Sequence, residues 1–71
     1  MITFDRILNV VNAARNHGLA TDNYWLYMAK DGTEVNASNE ENKQSGFIGY
    51  FIEDDSKLRR VFDVYCKRVR K

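Results

Sequence analysis

Cysteine and histidine occur once each, at Cys66 and His17. One cysteine closes no internal disulfide, and one of each cannot supply the four side chains of a structural zinc site. The four glycines are scattered, with no G-x-G-x-x-G or Walker pattern, so no phosphate-cradling loop is readable. No apolar run approaches the roughly 20 residues of a membrane span, and no membrane partner is expected. The opening MITFDRILNVV lacks a positive leader and carries Asp5 and Arg6, unlike a signal peptide. A lone cysteine fits a reducing compartment, so the expected location is cytoplasmic.

Catalytic groups are equally scarce. The single histidine leaves no Ser/His/Asp triad, and its place at a helix end suits the helix dipole. Glu53, Asp54 and Asp55 cluster as an acid/base or metal site would, but they directly precede a helix, where carboxylates are stabilising. Cys66 stands at the edge of an apolar stripe with no second reactive group beside it, and reads as packing. The expectation is a non-enzyme with no catalytic, metal or cofactor-binding residues and no cofactor.

What is present is a globular pattern. Aromatic residues make up 13% of the chain, which argues against disorder. Seventy-one residues make one small domain, 1–71. A core of this size seldom supplies more than roughly 3–5 kcal/mol. Packing must carry the fold, and a homodimer would reinforce it.

The first helix is predicted over about 3–17. Thr3 is its cap, Asp5 lies in its first turn, Ile2 and Ile7 form a hydrophobic staple, and Gly18 follows its end. NYWLYMAK reads as a strand, and Asp31-Gly32 as a type I′ hairpin turn leading into TEVNAS. NEENKQSG reads as a mobile polar loop and FIGYFIE as a third strand. Asp54, Asp55 and Ser56 introduce a second helix over about 56–70. The predicted fold class is α+β: order α-β-β-β-α, a three-stranded antiparallel sheet with two helices packed mainly on one face.

A two-residue turn pairs Met28 with Val35 and Leu26 with Ala37. Alternation then puts Tyr24, Leu26, Met28, Val35 and Ala37 on a face under the helices. Trp25, Tyr27, Ala29, Glu34 and Asn36 take the other face. The third strand is apolar on both sides, so its buried side stays open: Ile48, Tyr50 and Ile52, or Phe47, Gly49 and Phe51. A face with Trp25 and Tyr27 beside more apolar groups is a candidate interaction surface, unless the long loop covers it.

Charge is distributed in two blocks. Residues 31–55 hold seven acids and one base, and residues 57–71 hold seven bases and one acid. On a helical wheel Leu58, Val61, Phe62, Tyr65, Cys66 and Val69 form an apolar arc, and the bases lie opposite with Val64 among them. That basic face suits solvent, a nucleic-acid backbone or an acidic protein. The element order resembles that of double-stranded-RNA-binding domains, whose second helix begins with a basic cluster where SKLRR stands at 56–60. The resemblance covers order alone, since Phe62, Tyr65 and Arg68 stand where that family has small residues.

The favoured expectation is a small regulatory or inhibitor protein that binds another protein. Trp25, Tyr27 and Phe51 are the candidate protein-binding residues, with the adjoining loop. The alternative is nucleic-acid binding through Arg59, Arg60, Lys67 and Arg68.

Overall fold

The Thr3 hydroxyl accepts the Arg6 N–H at 3.2 Å, and helix α1 runs Phe4–Arg15 behind that cap. Its end is closed by two bonds, Leu19 N–H to Ala14 C=O at 3.0 Å and Gly18 N–H to Arg15 C=O at 3.3 Å. This is the Schellman arrangement, and Gly18 supplies the positive φ of 108° it requires. The computed structural model describes residues 1–69. Beyond α1 it contains β1 (Asp22–Ala29), β2 (Val35–Ser38), β3 (Phe47–Asp54), a 3₁₀ turn (Asp55–Lys57) and α2 (Leu58–Val69). The predicted last helical residue, position 70, and the bases Arg70 and Lys71 lie outside the described residues.

The sheet is antiparallel with order β2-β1-β3, so β1 is central. Met28 pairs with Val35 and Leu26 with Ala37, the predicted register. The turn differs from the predicted type I′. Gly32 has φ +79° but Asp31 does not share the positive φ that type I′ needs at both central residues. The Ala29 carbonyl accepts the Gly32 N–H at 3.0 Å, and Asp31 Oδ1 accepts both the Thr33 N–H and the Thr33 hydroxyl. A longer connection thus preserves the same strand register.

Pairing with β1 decides the face of β3. Ile52, Tyr50 and Ile48 lie opposite Tyr24, Leu26 and Met28, on the helix-covered side. The core is Ile2, Ile7, Val11, Leu19, Tyr24, Leu26, Met28, Val35, Ile52, Leu58 and Tyr65, with Phe4, Phe62 and Val69 packed around it. α2 docks through Leu58 and Tyr65, and the Tyr65 hydroxyl donates to the Ala29 carbonyl at 2.6 Å.

One hydroxyl in this layer is unmatched. Tyr50 Oη is buried and has no partner among the described residues. An unpaired buried polar group is a cost that phenylalanine removes. Tyr50→Phe is expected to leave stability unchanged or raise it by up to about 1 kcal/mol in urea unfolding. A clear loss of stability would mean that the hydroxyl is bonded in solution.

The acidic cluster at 53–55 builds the entry to α2. Asp54 caps the 3₁₀ turn by accepting the Ser56 N–H at 2.9 Å, and also bonds the Ser56 hydroxyl. Asp55 receives Arg15 through two nitrogens at 2.8 and 3.0 Å, and the Tyr24 hydroxyl at 2.7 Å. Arg15 foremost, with help from Tyr24, holds the Asp55 carboxyl below the usual carboxylate range, while burial pushes the Tyr24 hydroxyl up. A depressed carboxyl stabilises the fold above its unfolded value of about 4, and that contribution is lost as pH falls through the lower folded value. The pair is half exposed, so Asp55→Ala is expected to cost only about 1 kcal/mol at neutral pH. Thermal melts from pH 7 to 2 should show a shallower acid decline for the variant than for the natural chain.

Candidate functional site

The two faces of the sheet are treated differently. Both helices cover the face of Leu26 and Tyr50. The opposite face carries Trp25, Tyr27 and Ala29 from β1, Asn36 and Ser38 from β2, and Phe47, Gly49, Phe51 and Glu53 from β3, by alternation. No helix packs there. The segment 39–46 folds over one end of it instead.

Tyr27 is the post on which that segment rests. It was expected at a surface, yet it is only 3% exposed. Its ring lies over Gly49, its cross-strand partner, where a Cβ would come within 2.7 Å of Tyr27 Cε1. Its hydroxyl accepts the Asn42 N–H and donates to the Glu40 carbonyl at 3.4 Å. The side-chain amides of Asn36 and Gln44 exchange bonds at 3.3 and 3.4 Å. The loop expected to be mobile is therefore tied to the sheet at its middle and near its end. Its carboxyl-terminal turn is closed by Phe47 N–H to Gln44 C=O at 3.1 Å.

Trp25 and Phe51 remain outside this cover. They are cross-strand partners, and their rings meet edge-on with centroids 5.5 Å apart. Trp25 also stacks on Tyr27 at 6.3 Å. Phe51 is 48% exposed and Trp25 is half-buried. An open cleft of about 510 Å³ begins at Trp25 and runs under the loop, lined by Glu41, Lys43, Ser45 and Phe47 among others. The three predicted protein-binding residues thus lie side by side, two as surface and Tyr27 as the support beneath them. The loop residues at the cleft, such as Glu41 and Lys43, could be named in the sequence only as a segment.

The four predicted nucleic-acid residues sit on the far side of the molecule, on α2, and all are exposed. Arg59 is engaged, with its guanidinium 5.1 Å from the Phe4 ring centroid and Nε 3.6 Å from Asp63. Arg60, Lys67 and Arg68 have no ion pair among the described residues. Val64, 43% exposed, stands one helical turn from each of them. The basic stripe is therefore Arg60, Val64, Lys67 and Arg68, and the sheet separates it from Trp25 and Phe51.

Among the described residues no three His, Cys, Asp or Glu side chains gather as a metal would need, and no helix is long and apolar enough to cross a membrane. No protein-family model matches the chain, and no curated protein or solved structure matches it either.

Proposed function

We propose that the chain is a non-catalytic binding protein that docks another protein through Trp25 and Phe51 and the cleft beside them. The observation that carries this reading is the half-open aromatic pair on a sheet face that neither helix covers. Aromatic anchors in desolvated pockets dominate the energy of protein interfaces. Here the anchors are held in place by Tyr27 and by the strands, so little side-chain freedom is lost on docking. The charges around the patch, Glu41 and Glu53 against Lys43, lean negative and favour a partner with basic groups over a phosphate backbone.

The second reading, a nucleic-acid contact, is supported by Arg60, Lys67 and Arg68 of the α2 stripe, which have no ion pair among the described residues. Stacking platforms gain from aromatics and bases on one surface. In this chain those groups lie on opposite sides of the sheet. Fluorescence titrations with RNA and DNA are expected to show no salt-sensitive binding at micromolar protein. Affinity that falls steeply with added salt would move the function to the basic stripe. Capture of a protein partner by the natural chain, and its loss in Trp25→Ala, is the direct test of the favoured reading.

A further inference from the structure

β3 is an edge strand, and the direction of its free backbone groups follows from two bonds. Ala29 N–H bonds Glu34 C=O, so odd-numbered residues of β1 turn their backbone toward β2. Lys30 N–H bonds Gly46 C=O, so even-numbered residues turn toward β3 and its even-numbered positions. In β3 the backbone groups of Ile48, Tyr50 and Ile52 are therefore spent on β1. Those of Gly49, Phe51 and Glu53 point away from the sheet, about 6.8 Å apart along an extended strand.

Nothing in β3 blunts that edge. It has eight residues, paired with β1 without a break from Phe47 to Ile52 and interrupted only at Glu53, no proline, no lysine or arginine, and acidic residues only at its end, Glu53 and Asp54. Natural edges are normally shortened, bulged or charged. The opposite edge, β2, is shortened to four residues. Ile48 and Tyr50 also stay partly exposed on the helix-covered side of β3, and Phe51 on the other, so apolar groups flank the free backbone on both faces.

We infer that two copies of this chain pair β3 with β3 antiparallel, joining their sheets into one of six strands. Self-pairing about Tyr50 satisfies the outward groups of Gly49 and Phe51 reciprocally, and brings the Glu53 N–H to the Phe47 carbonyl, while the Phe47 N–H stays on Gln44 C=O. Gly49 of one copy faces Phe51 of the other, and Phe47 faces Glu53. No like charges meet. The exposed aromatic pairs then lie on one continuous face, still open to a further partner, so this inference does not depend on the docking reading. An interface of one strand pair belongs to the small, weak class below about 1,200 Å².

Sedimentation equilibrium of the full chain tests this. The apparent mass is expected to rise with concentration from 8.3 kDa toward twice that value. Glu53→Pro removes one outward N–H that β1 does not use, a place where an edge strand tolerates proline, and leaves Trp25 and Phe51 in place. The symmetric pair loses two hydrogen bonds, one in each half, so association is expected to weaken by roughly 10- to 100-fold. Amide exchange by NMR gives an answer without any variant. The Gly49, Phe51 and Glu53 amides should exchange about tenfold or more slowly in concentrated than in dilute samples, while the inner amides of Tyr50 and Ile52 change little. A mass fixed at 8.3 kDa into the millimolar range, or outward amides unprotected at both concentrations, would overturn the pairing.

Discussion

Tyr27→Ala is expected to destabilise the domain by about 3–5 kcal/mol, the usual cost of removing a buried aromatic ring. The loss has three sources. The ring leaves a void above Gly49, the stack with Trp25 disappears, and the two loop groups bonded to the hydroxyl, Asn42 N–H and Glu40 C=O, lose their partner. Since a core of this size rarely supplies more than roughly 3–5 kcal/mol, the variant should be largely unfolded near room temperature. Circular dichroism with urea titration checks this. Tyr27→Phe separates the sources: it keeps the ring on Gly49 and should cost only about 1 kcal/mol, with faster amide exchange in residues 40–44. If Tyr27→Ala folds as stably as the natural chain, the loop does not rest on this ring.

Trp25→Ala, two residues away on the same face, is expected to behave in the opposite way. Trp25 is half-buried, so its removal should cost about 2 kcal/mol of stability, less than that of Tyr27, and leave most of the domain folded. Its effect on partner binding should be at least about 2 kcal/mol, a 30-fold loss of affinity, as for a central interface aromatic. Phe51→Ala should weaken binding in the same direction, because the two rings support each other edge-on. The contrast between neighbouring aromatics follows from geometry: the loop closes over Tyr27 and stops short of Trp25.

How much of this could be read in the residues depends on the range of the interaction. The ends of α1 were legible because Thr3, Asp5 and Gly18 act within one or two turns of themselves. The β1–β2 register was legible for the same reason, since Asp31-Gly32 limits the connection to a few residues. The turn type was not. Asp31 satisfies its carboxylate on Thr33, and that local bond competes with the type I′ geometry.

The inner face of β3 was illegible because both of its sides are apolar. Only pairing with β1, across seventeen residues that separate the strands, assigns Ile48, Tyr50 and Ile52 inward. Tyr27 was misplaced for a related reason. Its burial needs Gly49 opposite it and a polar loop bonded to its hydroxyl, both set by long-range pairing. A glycine amid the aromatics of FIGYFIE is the signal that could have pointed to a ring lying over it. The wheel placed the basic residues of α2 outward, and helical periodicity alone suffices for that. Their engagement is another matter, as Arg59 packs on Phe4 from the other helix.

The most direct test of the central claim, docking of a protein through Trp25 and Phe51, is a paired capture. The natural chain and the folded Trp25→Ala variant are immobilised at equal density and exposed to host extract at low and high salt. Bound protein and bound nucleic acid are both quantified. A defined protein should be retained by the natural chain at both salts and lost with Trp25→Ala, with no enrichment of nucleic acid on either. Equal retention by the two chains, or nucleic acid that elutes with salt from both, would contradict that claim.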